Sequence, residues 1–313
     1  FKQKTAYAIR LSLVGSEMCI RDSPGCDETE RDVGRMPAIS KPPLPAASAV
    51  PASYFLCTTP RSGSYLLAQG LESTGTAGRP EEYFDAKFES QWRTELNVES
   101  DADYFDKIML RGRSSNGVFG AKILYYQYEN LASRIQAVKP VAEALDPAVL
   151  TTIFGPLKFV WLRREDTTAQ AISWERAIQS DDWYRIAGRM MPPKAAVPLK
   201  FDALKIADLK AKLRSYNDGW RAHFERWNIS FLEVVYEDFV YEFEETIRRV
   251  LDFLACDEAR TAKSPTRKYL RQADETSFDW TCRYALEFPE EVVKPARARA
   301  EADRYNRDGS RFF

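Results

Sequence analysis

Histidine is nearly absent: among 313 residues only His223 is one. Chemistry that needs an imidazole base must use that residue or a different group, and zinc sites built on two or three histidines are excluded. Cysteines are few, odd in number and without C-x-x-C spacing (Cys19, Cys26, Cys57, Cys256, Cys282). Neither a disulfide framework nor a cysteine metal site is expected, and a reducing cytoplasm fits. No charge of one sign dominates, with Lys+Arg 45 against Asp+Glu 46. The chain therefore has no overall field that would select nucleic acid or an anionic membrane surface. No apolar run approaches the roughly 18–20 residues that a membrane span needs. The pattern Gly-x4-Gly-Lys-[Ser/Thr] of nucleoside-triphosphate loops is also missing.

What is present starts at residue 53. Tyr54 to Cys57 is a short run of large apolar side chains, suited to a buried parallel strand. Pro60, Ser62, Gly63 and Ser64 make a tight turn, and Leu66, Leu67, Gly70 and Leu71 repeat at helical spacing behind it. A strand, a Gly/Ser loop and a helix N-terminus together hold an anion, through free N–H groups and the helix dipole. Arg61 adds a full charge. The plainer reading is a strand-to-helix turn and nothing more.

Further apolar runs at 118–124, 156–162 and 229–236 alternate with amphipathic stretches at 125–138, 166–180, 202–228 and 243–255. The alternation predicts an α/β fold, one domain whose parallel sheet of about four to five strands is flanked by helices on both faces. Helices are also expected from Pro80 and over 101–116, and a mobile loop over the proline-rich 189–200. Residues 1–23 follow no period and read as a non-native or disordered leader, with Met36 as the native start. Residues 24–52 read as a linker, Pro/Ala-rich from 37 onward. The main domain is expected over 53–290, and a charged C-terminal helix and tail over 291–313.

Two more features carry chemistry. Arg163-Arg164 ends a strand, with Gln170, Ser173 and Arg176 on one face of the helix behind it. Ligands of open parallel sheets bind at the strands' carboxyl ends, so this doublet should adjoin the first loop and clamp a second anion. Its plainer reading is a solvated basic pair. Glu81-Glu82 follows Pro80, where acids usually just complement a helix dipole. With histidine so scarce, a carboxylate is also the natural group to take a hydroxyl proton. His223 lies among aromatics and reads as packing.

These pieces, in order, resemble the Stf0 family of bacterial sulfotransferases: Thr58-Thr-Pro-Arg-Ser-Gly-Ser64, Gly75-x-x-Gly-x-Pro-Glu-Glu-Tyr-Phe84, Phe119-Gly-Ala-Lys122, Trp161-Leu-Arg-Arg164 through Gln170 and Ser173, Arg176-Ala-Ile-Gln-Ser180, and Leu270-Arg-Gln-Ala-Asp274. The resemblance implies a P-loop-like α/β fold. It also implies 3′-phosphoadenylyl sulfate (PAPS) as donor, no metal, and a carbohydrate or glycolipid acceptor, either a trehalose-like sugar or a cell-surface glycan. A homodimer is implied as well. By position, Arg61, Ser62, Gly63, Ser64 and Tyr65 would hold the 5′-phosphosulfate. Arg164, Ser173 and Arg271 would bind the rest of the donor, and Glu82 would be the general base, with Arg61 stabilising charge. Arg79, Glu81 and Lys122 would face the acceptor. Tyr65 stands where relatives usually carry Thr, and Arg79 where an acid is often found, which turns the expected acceptor toward an anionic glycan. From the residues alone, a P-loop kinase and a nucleotide-binding protein that has lost its chemistry stay open.

Overall fold

The computed structural model describes residues 53–186, 198–255, 263–270 and 272–291. The expected leader, the linker, most of the proline-rich loop, Arg271 and the C-terminal helix after 291 lie outside these residues. Four strands, β1 (Ser53–Thr58), β2 (Phe119–Leu124), β3 (Leu157–Arg163) and β4 (Phe231–Val235), form one sheet in the order β2-β1-β3-β4. All three pairings are parallel, with Thr58 opposite Leu124, Cys57 opposite Trp161 and Arg163 opposite Val235. This register brings the strands' carboxyl ends to one edge, where ligands of such sheets bind. β1 lies between two partners and every residue in it is buried, as its uninterrupted apolar run requires.

Ten helices are described, of which α1 (Ser64–Ser73), α2 (Ala86–Glu95), α3 (Asp101–Arg111), α4 (Tyr125–Val138) and α5 (Pro147–Phe154) precede β3. After it come α6 (Thr167–Ser180), α7 (Ala203–Arg226), α8 (Tyr236–Phe239), α9 (Phe243–Leu254) and α10 (Glu275–Glu287). Strand alternation divides the core in two. Phe55, Cys57, Phe119, Ile123 and Trp161 meet α3, α4, α5 and α7, while Tyr54, Leu56, Val160 and Leu162 meet α1 and α9. A third cluster joins α6, α7 and α10 through Ile172, Leu213, Trp280 and Tyr284. Trp220 ties α7 to the ligand edge: its ring is fully buried and its indole N–H donates to the Thr58 carbonyl at 2.9 Å.

The structure corrects two expected helices. Pro80–Asp85 is not helical: Glu81 lies in a β-bridge and Tyr83-Phe84 form a turn. Glu81 bridges to Ala121, and its carbonyl accepts from the Lys122 N–H at 3.0 Å. β2 is an edge strand, and this segment satisfies backbone groups that would otherwise face solvent. The helix begins six residues later, where the Asp85 side chain caps α2 by accepting from the Lys87 N–H at 2.8 Å. The helix expected over 101–116 stops at Arg111. Gly112 follows, and an added Cβ there would lie 2.4 Å from the Phe119 ring. Helices α5 and α10 are additions to the expected set, although Asp146-Pro147 and Asp274 are ordinary helix starts.

His223 packs among the rings of Tyr128, Phe159, Trp220 and Phe224, and one ring nitrogen meets the Tyr128 hydroxyl at 2.9 Å. Burial, aided by the nearby Arg226 charge, lowers its pKa from 6.5 to about 4. Below pH 6.5 the unfolded chain takes up a proton that the folded one refuses, so acid favours unfolding until the folded group also titrates. Between pH 7 and 4.5 this group alone should cost about 2 kcal/mol. Denaturant unfolding of His223→Gln at the two pH values is expected to show a stability gap narrower than wild type by about that amount.

Candidate active site

The first loop runs from the end of β1 to α1. Arg61 and Gly63 both have positive φ, 61° and 86°. Only glycine fits at 63, because an added Cβ would come within 2.6 Å of the Tyr236 ring at the start of α8. The Ser62 hydroxyl is fully buried against Thr58 Oγ1, and Thr58 in turn donates to the Leu162 carbonyl at 3.0 Å. Ser62 therefore fixes the loop to β1 and β3. Side chains of Asp85, Ser100, Asp146, Asp166, Asp202 and Asp274 cap α2, α3, α5, α6, α7 and α10. At α1 the N-cap is Gly63, with no side-chain cap and no acid in the first turn. The first N–H groups of α1 are thus left for a ligand at the sheet's binding edge, with the helix dipole favouring an anion.

Arg61 is held from three sides. Its Nε donates to Ser173 Oγ at 2.9 Å, and its terminal nitrogens donate to the Trp183 carbonyl and to Gln272 Oε1. Burial first, then the neighbouring Arg164 charge, lowers its pKa from 12.5 to about 10, so it keeps its charge at neutral pH. Gln170 holds the turn from below through Thr59 Oγ1 at 2.9 Å and the Pro60 carbonyl at 2.6 Å. Arg164 reaches the same loop, with one terminal nitrogen 3.4 Å from the Arg61 carbonyl. Its guanidinium lies 4.7 Å from the Tyr236 ring centroid and 3.7 Å from Glu237, and its buried Nε makes no hydrogen bond. The doublet also lines an open cleft of about 450 Å³ with Thr167, Arg214, Asn217 and Arg221. Arg164 and Ser173 thus do adjoin the loop. Arg176 faces away, onto Asp274 at 2.7 Å and Ser277.

The acidic pair splits. Glu81 pairs with Arg111 of α3 at 3.2 Å, and burial leads the influences that raise its pKa. Glu82 turns to Lys122, whose ammonium is 2.7 Å from Oε1 and only 2% exposed. Gln127 Nε2 donates to Glu82 Oε2 at 2.8 Å and to Asp85 Oδ2 at 2.7 Å. Burial pushes the Glu82 pKa up, but the Lys122 charge and the hydrogen bonds from Lys122, Gln127 and Asp85 outweigh it, leaving it below the usual value. The Lys122 ammonium also sits 3.4 Å from the centroid of the Tyr65 ring, and the Tyr65 hydroxyl hydrogen-bonds Glu82. Burial and the Glu82 charge raise the Tyr65 pKa far above its ordinary value, so it is a neutral donor. Tyr184 and Tyr269 pack on its ring, at 5.4 and 5.7 Å between centroids. Tyr65, expected to line the donor loop, also joins that loop to the carboxylate through its side chain. Arg79 is half-buried beside this segment, its own N–H on the Gly112 carbonyl at 2.8 Å.

An uncapped helix start, two arginines around it and an ion-paired carboxylate one side chain away form one constellation. A family model described as Stf0 sulphotransferase matches residues 53–287. The chain belongs to the Stf0 sulphotransferase family. It is a sulfotransferase. Trehalose 2-sulfotransferases from Mycolicibacterium smegmatis and Mycobacterium tuberculosis strain Erdman are each 29% identical to it, covering 75% of this chain and 94% and 95% of theirs. Among solved structures, a sulfotransferase domain from the Synechococcus PCC 7002 olefin synthase is similar over 69% of this chain and 78% of its own at 16% identity, with a TM-score of 0.37.

In this sulfotransferase several site residues escape a sequence reading. Asp85 is masked when the helix is started at Pro80, and its signal is that of an N-cap, a short acid before a helical stretch. Gln127, in the first turn after β2, carries no motif. Trp183, Tyr184, Tyr269 and Gln272 come from segments without helix or strand that only the fold brings to the loop. Among the described residues no three His, Cys, Asp or Glu gather as a metal site. Lys122→Met should leave Glu82 buried without its counter-charge, costing about 3–5 kcal/mol of stability. The same change should move the Glu82 titration upward, followed by NMR of isotope-labelled carboxyl groups.

Proposed function

We propose that this sulfotransferase moves a sulfuryl group from PAPS to a hydroxyl of a carbohydrate or glycolipid, with Glu82 as general base. The observation that carries the reading is the bridge Glu82–Lys122–Tyr65, which ties a buried, ion-paired carboxylate to the second residue of the uncapped helix. A donor anion on the N–H groups of Ser64 and Tyr65 would then lie next to a base that stays ionised at neutral pH.

The chemistry divides among named residues. Glu82 takes the acceptor hydroxyl proton as the new O–S bond forms, worth about 10²–10⁴ in rate. The old bond between sulfur and the phosphate oxygen breaks, its electron pair going to the phosphate. The loop N–H groups, the α1 dipole and Arg61 stabilise that charge. Contact between Arg61 and the phosphate would require it to give up Ser173, Trp183 or Gln272. Arg164 and Ser173 bind the donor's second phosphate, with Arg271 also on the donor; the buried Arg164 Nε, which makes no hydrogen bond and has the Glu237 carboxylate at 3.7 Å, is a fitting feature there. Lys122 orients Glu82, while Arg79 and Glu81 stand on the acceptor side. The two trehalose sulfotransferases support a sugar acceptor, and Arg79 favours one that carries negative charge. A homodimer belongs to the same proposal. So does a cytoplasmic setting, which suits the unpaired Cys57 and Cys282. Among the described residues no helix is long and apolar enough to cross a membrane.

Calorimetry is expected to show PAPS and its desulfated product binding without added metal, and no binding would refute the assignment. Glu82→Gln should keep donor affinity within a factor of about two while losing about 10²–10⁴ of turnover, measured as labelled sulfate transfer to a sugar panel that includes trehalose and anionic glycans. Near-normal turnover would remove Glu82 from the base role.

A further inference from the structure

A base that takes a proton in every cycle must also lose it, and Glu82 is poorly placed to do so alone. Its oxygens are engaged by Lys122 and Gln127, and Tyr65 covers it from α1. Another carboxylate lies alongside. Asp85 shares the single amide nitrogen of Gln127 with Glu82, through contacts of 2.7 and 2.8 Å, which places the two carboxyl groups side by side where a proton on one can be shared with the other. The same Asp85 Oδ2 accepts from the Tyr126 hydroxyl at 3.4 Å, and Tyr126 as a residue is 38% exposed.

We propose that Asp85 is a positioning residue acting through Glu82, receiving the acceptor's proton from it and passing that proton to water past Tyr126. This rests on Glu82 being the base. The balance is simple. The acceptor O–H bond breaks and the proton goes to Glu82. It then passes to Asp85 Oδ2 and on to solvent, so Glu82 is again ionised for the next cycle while the desulfated donor and the sulfated acceptor leave.

The surroundings suit such a transfer. Glutamate ordinarily holds its proton more tightly than aspartate. Here Lys122 from β2 and Gln127 from α4 favour the charged form of Glu82. Burial, the Glu82 charge and the hydrogen bond between the two raise Asp85, against the Lys87 N–H and Gln127. The usual lead of glutamate is eroded, and a proton can pass between the two at small cost. The other titratable groups facing the pair are Tyr65 from α1 and Tyr126 from α4, both driven well above their ordinary range and therefore neutral. Asp85 also has a structural role, since its Oδ1 caps α2 and so holds the pair in place.

The test is Asp85→Asn, which keeps an oxygen to cap α2 but cannot carry the proton. With labelled PAPS and trehalose as probes, kcat should fall about 10- to 100-fold with donor KM unchanged, and formate or imidazole buffer should restore it in proportion to concentration. A purely structural role would give no such rescue. Wild-type kcat, or a loss that buffer does not relieve, would overturn the proposal. An independent arm needs no acceptor: NMR of labelled carboxyl groups in the full chain. Glu82 should titrate in two coupled steps in wild type and in one in Asp85→Asn. A single step in wild type would also overturn it. Should Glu82→Gln retain normal kcat, the base reading itself falls, an outcome distinct from an active Asp85→Asn beside an inactive Glu82→Gln.

Discussion

The ion pair between Lys122 and Glu82 is the interaction on which the site depends. Both charges are withdrawn from water, which costs several kcal/mol for each unless geometry and hydrogen bonds compensate. Lys122 meets that condition because it is a strand residue. It stands opposite Leu56 in the register of β2 on β1, on the sheet face that α1 covers. Position and direction of the ammonium are therefore set by the sheet, and Glu82 follows it. The non-helical segment from Pro80 makes this geometry available, since the carbonyl of Glu81 is paired to the backbone of Lys122 itself. A helix there would have carried the carboxylate away.

Around that pair the helix starts differ. Six of the ten described helices carry an aspartate or serine side-chain cap, while α4, α8 and α9 start without one after Leu124, Val235 and Glu242. The one at the central strand has only glycine, and the space above it is limited by Tyr236, whose ring also supports Arg164. Positive charge is likewise rationed. The Arg164 charge lowers the proton affinity of Arg61, and each guanidinium is tethered: Arg61 by neutral acceptors, Arg164 by Glu237 and the aromatic face. The site thus stays cationic without repelling itself apart.

Much of this is legible in the sequence, for reasons that differ by residue. β1 and the loop are readable because a wholly apolar run followed by Pro, Gly and Ser has few other meanings. β3 and the arginine doublet are readable because strand and helix periods change abruptly at Arg163-Arg164. The carboxylate stands out through scarcity of histidine and through resemblance, not through its geometry. Other features cannot be read. The non-helical path of Pro80–Asp85 is set by the bridge of Glu81 to Ala121 on an edge strand some 40 residues later, which overrides a local helix signal. The partners of Arg61 lie 112, 122 and 211 residues away in sequence, and two of the three sit in segments without periodicity. The surroundings of Tyr65 are hidden for a related reason: Lys122, Tyr184 and Tyr269 reach its ring from distant parts of the chain.

Arg61 is not glycine, yet its backbone lies in the left-handed region. That conformation stores on the order of 1 kcal/mol of strain for such a residue. The same residue's side chain supplies the three bonds that hold the strain in place, and one of them ends on Gln272 in the chain's last third. The donor loop and the C-terminal segment are therefore mechanically one unit, a sprung turn and its latch. Shortening or loosening the distant segment would be felt first as a relaxed loop, 200 residues upstream, and only afterwards as any change in the sheet.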